Sequence, residues 1–410
     1  MPNKDRRIDV TIVHPFDPWR QGLGGFDTFL DAFLRLAPAE WRLEVVGLTR
    51  DPQARPPGRR TLASFGGRSL EFVPLLCDTD PYAHRLVPLS LRFAIAGWAY
   101  GPTPRGRIVQ YHRFESPFAC RPLRFARSVC FLHNHPPELA SARSDVRWRH
   151  FGSLYHRVLR RALADVDSIW GVDPRTPAWV EEVMPRLAGR TFHQPVWADS
   201  DLFRPGSPEE RERDRLELRA ELQLETWARI CVFVGRLEAQ KDPLLLVDAF
   251  ERVAATTPGV FLAFVGRGRL RREISKRAAS LGIESHLRFL APRDRRELAS
   301  VYRGADASVC CSAFESGPRT VFETLACGTP AVTVDVGQVA EPMTRLLDLG
   351  LMIETRDAGR VARAIERALR LVPGAGLSAR LASAVAGFTP DAALEPLFRR
   401  YGSWLRRPWE

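Results

Sequence analysis

The residues with the clearest chemical potential lie between Val309 and Asp335, where two carboxylates flank the start of a short predicted helix. Glu315 lies in the loop before this helix, and Glu323 lies on the helix itself. The first N–H groups of a helix have no partner within the helix and favour an anion. Carboxylates beside an anion site are suited to accept hydrogen bonds from hydroxyl groups. The spacing therefore predicts a ligand that carries both phosphate and hydroxyl groups.

The elements that position these carboxylates are predicted from the same stretch as strand, loop, helix and strand. Ser316 or Gly317 can serve as the N-cap, and Pro318 suits the first turn because its missing N–H costs nothing there. Gly328 and Pro330 predict the end of the helix. The helix is therefore expected to be short, with its N-terminus beyond the carboxyl end of the preceding strand.

The segment FESGPRTVFETLACGTPAV resembles the Glu-x7-Glu segment of retaining group 1 (family 4) glycosyltransferases of the GT-B fold. In that family the first Glu contacts the donor sugar and the second holds the ribose, so the resemblance implies these roles for Glu315 and Glu323. It also implies that the donor contacts the residues around the helix start, namely Ser316, Gly317, Pro318, Arg319 and Thr320. The alternative is that both carboxylates only complement the helix dipole.

A second pattern, CVFVGRLEAQKDP, places Arg236 and Lys241 on the loop after a predicted strand. The same family has G-R-L-x-x-x-K here, and its Arg and Lys hold the donor diphosphate. Fixed cations at this place would stabilise the negative charge that develops on a leaving diphosphate. The resemblance thus implies a reaction that needs no metal and no cofactor besides the UDP- or GDP-sugar co-substrate. A solvated basic loop is the alternative.

Glycine turns follow two other predicted strands. Gly24 and Gly25 lie in a GLGG loop, and Gly266 and Gly268 lie in FVGRGRL. Glycines let the backbone approach a phosphate or a base closely, although such turns are also ordinary strand-to-helix connections. The family has a G-x-G that lines the nucleotide pocket at the second turn, and Arg293 falls where its members contact the base.

Three histidines follow predicted strands in the first half of the chain, namely His112, His133 and His135. His112 resembles the family histidine that reaches the donor sugar, and His133 resembles a strand-end histidine near the acceptor cleft. A structural role is the alternative for each of them. A zinc site at HNH is disfavoured because no further ligand pair at metal spacing accompanies it.

Three Asp-x-Asp triplets could hold a divalent ion, as in the metal-dependent transferases of the GT-A class. They are Asp78/Asp80, Asp165/Asp167 and Asp199/Asp201. Such triplets also arise by chance, and the third matches a linker pattern of the resembled family. No metal is therefore expected.

Composition describes an ordinary globular chain of 410 residues that is long enough for two domains. A net charge of +12 favours anionic partners, which include nucleotides, anionic lipid surfaces and nucleic acids. The seven cysteines form no CxxC pair, which indicates buried thiols in a reducing compartment. The chain has neither a signal peptide pattern nor a long apolar stretch. The prediction is a cytoplasmic protein, with peripheral contact at the inner membrane face as a further option.

Alternating strand and helix patterns predict an α/β fold with two doubly wound domains. Strands are expected near 8–13, 43–48, 70–75, 107–112, 128–133, 166–170, 190–193, 229–234, 260–265, 286–290, 306–310 and 330–334. The segment 51–68 is expected to be a mobile surface loop. The resemblance implies the GT-B fold, with an acceptor-side Rossmann-like domain over 1–200 and a donor-binding domain over 201–387. In that fold the domains face each other across a cleft, and the C-terminal stretch 388–410 packs back on the first.

The predicted function is retaining transfer of a sugar from a nucleotide diphosphate donor to an acceptor hydroxyl on a sugar, a lipid-linked or a small-molecule acceptor. The alternatives are a non-catalytic GT-B-like module, a basic nucleic-acid-binding protein, and a nucleotide-sugar epimerase of the same fold. No motif for nucleic-acid recognition supports the second of these.

Residues 86–100 and the basic stretch 147–164 could form a membrane-facing surface. Ser316, Gly317 and Pro318 replace the commoner Gly-Phe-Gly, so the identity of the donor sugar does not follow from the resemblance.

Overall fold

The computed structural model describes the chain apart from residues 1–6, 21–23, 80–86, 101–103, 122–125, 140, 142–149, 372–373 and 408–410. Several predicted features lie outside the described residues. They are Gly22 and Leu23 of the GLGG loop, Asp80 of the first Asp triplet, residue 86 of the stretch 86–100 and residues 147–149 of the basic stretch 147–164. The chain divides into two compact units. Unit 1 comprises Met1–Pro136, Phe151–Gln194 and Leu394–Glu410, and unit 2 comprises Pro137–His150 and Pro195–Ala393.

Unit 1 contains an eight-stranded sheet in the order β3-β4-β2-β1-β5-β6-β7-β8. Its strands are β1 Ile8–Val13, β2 Leu43–Thr49, β3 Thr61–Phe65, β4 Arg68–Cys77, β5 Gly106–Tyr111, β6 Arg127–Leu132, β7 Ser168–Gly171 and β8 Thr191–His193. All neighbours are parallel except the β3–β4 pair, which is antiparallel. The central strands are nearly continuous apolar runs because both faces of a parallel sheet are covered by helices.

The helices before the second sheet are α1 Gly25–Leu36, α2 Leu89–Tyr100, α3 Ser116–Ala119, α4 Pro136–Leu139, α5 Gly152–Ala162 and α6 Thr176–Val183. A 3-10 turn at Pro185–Leu187 follows the last of them. In α1 the side chains of Phe29, Leu30, Phe33 and Leu34 are buried at helical spacing, as expected for a helix that covers a sheet.

Unit 2 contains a six-stranded, wholly parallel sheet in the order β11-β10-β9-β12-β13-β14. Its strands are β9 Arg229–Val234, β10 Val260–Val265, β11 Leu287–Leu290, β12 Ala307–Cys310, β13 Ala331–Val334 and β14 Met352–Ile353. The order reverses between β9 and β12, and ligands of doubly wound sheets bind beyond the carboxyl ends of the strands at such a switch point.

The remaining helices are α7 Pro208–Glu221, α8 Pro243–Thr256, α9 Arg271–Ser280, α10 Arg295–Gly304, α11 Arg319–Ala326, α12 Ala340–Met343, α13 Ala358–Arg370, α14 Ala375–Val385 and α15 Pro390–Leu405. Shorter 3-10 turns occupy Ala239–Lys241, Glu284–His286 and Thr344–Leu349. Within the part of the chain that the structure describes, no helix is long and apolar enough to cross a membrane.

The two doubly wound sheets expected from the sequence are confirmed, and one local prediction is wrong. The segment 51–68 was predicted to be a loop, but Thr61–Phe65 forms β3, which pairs with β4 through a turn at Gly66 and Gly67. Both glycines have positive φ angles, of 57° and 82°, which a tight reversal between strands requires. The glycines that indicated a loop therefore mark a hairpin turn.

From Leu394 onward, α15 belongs to unit 1. Phe398 packs against Phe33 and Trp41, with ring centroids 5.4 and 5.8 Å apart. Tyr401 is fully buried and stacks on Trp41 at 6.1 Å. Burial of these aromatic rings fixes the last helix against α1 and the adjoining loop.

Candidate functional site

The loops that follow β9 and β12 meet at the switch point of the unit 2 sheet. Lys241 ends the 3-10 turn after β9, and Glu315 lies in the loop after β12. Their side chains form an ion pair, and the Ser312 hydroxyl donates a 2.9 Å hydrogen bond to Glu315 Oε1. The lysine and the first glutamate predicted from the sequence therefore lie at one place.

Gln240, which sequence reasoning missed, connects the same two loops. Arg236 Nη2 donates to Gln240 Oε1 at 2.7 Å, and Gln240 Nε2 donates to the Phe314 carbonyl at 3.3 Å. The backbone adds a bond of 2.7 Å from Ala313 N–H to the Gln240 carbonyl. A buried glutamine thus holds Arg236 beside the loop that carries Glu315. The sequence signal that could have indicated this role is the position of Gln240 directly before Lys241.

Helix α11, which carries Glu323, begins at Arg319, with Pro318 as its N-cap and no capping side chain. The sequence prediction that Ser316 or Gly317 would be the N-cap is therefore wrong. The predicted end is confirmed, because Gly328 follows the helix with φ 70°. A Cβ at Gly317 would overlap the Val196 side chain, which explains the need for glycine there.

Glu323 and Arg319 lie one turn apart on α11. Burial raises the pKa of Glu323, although the positive charges of Arg319 and Arg295 oppose this shift. Burial also lowers the pKa of Arg319 to about 10, against the opposing effect of Glu323. The Arg319 guanidinium lies over the Trp197 ring at 4.5 Å, and Nη1 is buried without a hydrogen-bond partner among the described residues. Both charges are therefore costly in the absence of a further polar group.

Two more groups border this pair. Tyr302 Oη lies 3.5 Å from Glu323 Oε2, and Arg295 pairs with Asp199 at 3.2 Å. Both Arg295 and Tyr302 are positioned by α10, which begins with a capping box between Asp294 and Glu297. Ser316 Oγ is a further buried atom without a hydrogen-bond partner in the described structure.

Gly266 and Gly268 hold two loops of the site together. A Cβ at Gly266, which has φ 148°, would overlap the Gly235 carbonyl, and one at Gly268 would overlap the Leu237 backbone. Leu237 N–H also donates to the Arg267 carbonyl at 2.9 Å. These predicted nucleotide-binding glycines thus have a packing role that brings the β10 loop against the loop that carries Arg236.

Arg293 precedes the N-cap of α10. Its Nη2 pairs with Glu221, and its Nη1 lies 3.4 Å from Glu297. Nε is buried without a hydrogen-bond partner among the described residues. Contact with a base, which the resemblance implies mostly through the backbone, stays a prediction. Thr320 occupies the first turn of α11. The Thr324 hydroxyl donates a hydrogen bond of 2.6 Å to the Thr320 carbonyl.

Unit 1 has its own switch point, between β1 and β5, where three histidines gather. His112 follows β5, His133 follows β6, and their Nδ1 and Nε2 atoms lie 2.8 Å apart. His14 follows β1 and contacts the His112 ring edge-on at 5.8 Å. Burial lowers the pKa of both His14 and His112 well below 6.5.

Helix α1 starts beside this cluster. Gly24 is its N-cap and Gly25 its first residue, and Phe26 stacks on His14 at 5.3 Å and lies 4.1 Å from His133. The predicted glycines and two of the predicted histidines thus lie in one region. His135 contacts other residues, since its Nδ1 lies 3.1 Å from Thr176 Oγ1.

Several described carboxylates of the Asp triplets contact other protein groups. Asp78 pairs with Arg92 at 3.0 Å, and Asp165 forms an exposed pair with Arg161 at 3.4 Å. Asp167 accepts from the Ser128 N–H at 2.8 Å. The contacts of Asp78 and Asp167 give these two carboxylates structural roles.

Comparisons with known proteins find a family match in the second half of the chain. Residues 214–381 match the family model "Glycosyl transferases group 1". D-inositol 3-phosphate glycosyltransferase from Mycobacteroides abscessus is 32% identical over 255 residues, which are 60% of this chain and 51% of that protein. The protein of that name from Geodermatophilus obscurus is 34% identical over 209 residues, which are 49% of this chain and 42% of the relative. The chain therefore spans about half the length of these relatives. The resemblance to group 1 glycosyltransferases is confirmed over the matched residues.

Solved structures agree on the fold. Sucrose-phosphate synthase from Thermosynechococcus elongatus superimposes with a TM-score of 0.73 at 18% identity, covering 97% of this chain and 99% of that one. Anabaena HepE in complex with UDP and glucose gives a TM-score of 0.65 at 16% identity, covering 96% and 99%. Together with the two Rossmann-like sheets, these glycosyltransferase neighbours confirm the GT-B fold.

Proposed function

We propose that this protein transfers a sugar from a nucleotide diphosphate donor, UDP- or GDP-linked, to an acceptor hydroxyl with retention of anomeric configuration. The observation that carries the proposal is the meeting of Lys241, Glu315 and the N-terminus of α11 at the switch point of unit 2. Cations and helix N–H groups suit a diphosphate, and carboxylates suit sugar and ribose hydroxyls. The relatives are named as glycosyltransferases, which supports the same class of reaction.

Each residue has a role in this proposal. Arg236 and Lys241 stabilise the charge on the leaving diphosphate, which reduces the barrier without a metal ion. Glu315 binds the donor sugar and Glu323 the ribose. His112 orients the reacting ring, and the leaving phosphate oxygen takes the proton of the acceptor hydroxyl, so the chain need not supply a base.

Two of these roles follow from local geometry. Glu315 is held by Lys241 and Ser312, so a sugar hydroxyl would meet an oriented carboxylate. Glu323 is buried beside the Arg319 guanidinium, whose Nη1 has no hydrogen-bond partner among the described residues. Ribose hydroxyls could satisfy both groups by donating to the carboxylate and accepting from the guanidinium. Donor binding thereby offsets the cost of burying two charges.

The identity of the acceptor is a separate part of the proposal. The curated relatives are named for D-inositol 3-phosphate, so polyol phosphates are the first acceptors to test, followed by sugars and lipid-linked acceptors. The assay follows consumption of UDP- and GDP-sugars with EDTA present and reads the anomeric proton coupling of the product by NMR. A product with the donor's configuration supports the proposal. An inverted product, or epimerised donor without an acceptor, contradicts it.

We further propose peripheral contact with an anionic membrane through α2. Leu91, Ile95 and Trp98 lie on one face of this helix with exposures of 51%, 54% and 82%. The opposite face is buried at Phe93, so the helix is apolar on both sides. Its one charged side chain, Arg92, is paired with Asp78.

Flotation with vesicles of neutral and anionic lipids tests this contact. Trp98→Ser should reduce the bound fraction several-fold, whereas Trp227→Ser, which changes an exposed tryptophan of unit 2, should not. The proposal would be contradicted if wild type and Trp98→Ser floated to the same extent. It would also be contradicted if the bound fraction did not depend on the content of anionic lipid.

A further inference from the structure

A continuous line of hydrogen bonds runs through the interior of unit 1, from the C-terminal helix to the histidine cluster. Tyr401 Oη donates to Gln110 Oε1 at 2.9 Å. Gln110 Nε2 lies 2.5 Å from His112 Nε2, and His112 Nδ1 lies 2.8 Å from His133 Nε2. The first three of these residues are buried, at 0 to 2% exposure. We call the four residues the relay.

The relay exists because of strand periodicity and of where α15 packs. Gln110 and His112 are two positions apart at the end of β5, so both side chains lie on the same face of the sheet. Tyr401 is brought to that face by the aromatic packing of α15 on Trp41 and Phe33.

The protons of Tyr401 and His112 have definite places because both side chains are buried and uncharged. Burial lowers the pKa of His112, and the neighbouring His14 and His133 lower it further. Burial also raises the pKa of Tyr401, which keeps its hydroxyl protonated. A neutral imidazole has one donor and one acceptor nitrogen, so a bond at one nitrogen fixes the other.

The direction in which hydrogen bonds are donated along the relay is set by the Tyr401 hydroxyl. The Tyr401 hydroxyl donates to the amide oxygen of Gln110, which leaves the amide N–H to donate to His112 Nε2. That nitrogen is therefore bare and the proton of His112 lies on Nδ1. His112 in turn donates to His133 Nε2, which places the proton of His133 on its Nδ1.

We propose that Tyr401 is a positioning residue, which acts through Gln110 to hold His112 and His133 in their Nδ1–H tautomers. Both ring nitrogens of His112 then serve the relay, and a sugar hydroxyl could bond one only by displacing Gln110 or His133. His112 therefore orients the reacting ring indirectly, by positioning His133, and not by direct contact with the sugar. Only the catalytic consequence of this inference rests on the proposed function, since the tautomers can be measured without a substrate.

Nitrogen-15 NMR of histidine-labelled protein tests the tautomers directly, because protonated and bare ring nitrogens resonate far apart. Signals are assigned by comparison with His112→Gln and His133→Gln. The expected spectrum has Nδ1 protonated and Nε2 bare in both rings. A proton on Nε2 of His112 would overturn the proposal, since the relay would then run in the opposite direction.

Two variants test whether Tyr401 sets this direction. Tyr401→Phe removes the donating hydroxyl and should give mixed tautomers at His112. Gln110→Glu offers only acceptor oxygens when ionised and should move the proton of His112 to Nε2. The matched control is Tyr111→Phe, which removes another buried hydroxyl bond, 2.6 Å to the Cys120 carbonyl, from the same strand. Histidine signals that change equally in Tyr401→Phe and Tyr111→Phe would contradict the proposal.

Turnover gives the second readout. Tyr401→Phe should lower kcat about tenfold, the fold-change that corresponds to one buried hydrogen bond, with donor KM nearly unchanged. Tyr111→Phe should leave both values near wild type. If no donor is turned over by wild type, the proposed function fails while the tautomers still decide this inference. Normal kcat in a Tyr401→Phe protein with altered tautomers would show that the relay has no part in catalysis and would contradict its positioning role.

Discussion

Lys241 and Glu315 are 74 positions apart in the chain, yet they form an ion pair at the switch point of the unit 2 sheet. The loops that carry them follow β9 and β12, the two strands between which the strand order reverses. Parallel strands bring their carboxyl ends to one edge of the sheet, so residues from distant parts of the sequence meet there. The segment that carries Lys241 and the segment that carries Glu315 therefore form a single candidate site.

Replacement of Lys241 by Ala should lower kcat by about 10² to 10³, because a fixed cation that stabilises developing charge contributes about this much. The measurement is steady-state turnover of the donor in EDTA. Lys276→Ala is the matched control, since Lys276 is an exposed lysine on α9 of the same unit. Near-normal turnover of Lys241→Ala would argue strongly against the assigned role.

Replacement of Glu323 by Gln should weaken nucleotide binding about tenfold, because an amide is a poorer acceptor for ribose hydroxyls than a carboxylate. The Kd is measured by calorimetry. Burial raises the pKa of Glu323 in the folded state, so the contribution of this carboxyl to stability increases as pH falls from neutral toward the ordinary pKa of a glutamate. Without nucleotide, Glu323→Gln lacks this contribution and should lose stability more steeply than wild type as pH falls. An identical pH dependence in Glu323→Gln would show that this carboxyl does not titrate as described.

Replacement of Gly266 by Ala should destabilise unit 2 by about 2 to 4 kcal/mol, because the new Cβ overlaps the Gly235 carbonyl and φ is 148°. Urea unfolding measures the change. Gly387→Ala is the control, since a Cβ there meets no described atom within 4 Å. Equal stability of the two variants would show that the loops do not approach as closely as described.

His14 should make the protein sensitive to acid. Burial lowers its pKa well below 6.5, so the unfolded chain binds a proton that the folded protein excludes, and stability falls as pH drops below about 6.5. His14→Phe preserves the stacking on Phe26 and removes a nitrogen that has no partner among the described residues. Its thermal midpoint should therefore fall less between pH 7 and 5 than that of wild type. An unchanged fall would contradict this prediction.

The sequence could predict most of the fold because strands buried on both faces leave long apolar runs. The strands at 8–13, 229–234 and 260–265 were located to the residue. The edge strand Thr61–Phe65 was missed, because alternate side chains of an exposed edge give only a short and weak pattern. Its flanking glycines and prolines indicated a loop more strongly than its residues indicated a strand.

Only those residues of the candidate site that belong to a recognisable sequence motif could be predicted. Spacing and resemblance pointed to Lys241 and Glu315, which the fold brings together. Trp197 and Gln240 were missed because their roles depend on contacts with distant residues. Trp197 stacks on Arg319 of α11, and Gln240 spans two loops. The same holds for Tyr401, whose bond to Gln110 joins residues 291 positions apart.

Nucleotide binding at the unit 2 site is tested by thermal shift of the wild-type protein with UDP, GDP, ADP and TDP in the presence of EDTA. Selective binding to the folded state raises the midpoint of thermal unfolding by mass action. We expect UDP or GDP to stabilise the protein without a metal, and Lys241→Ala to lose most of this stabilisation. No stabilisation by any nucleotide, or stabilisation only with a divalent metal, would contradict this expectation.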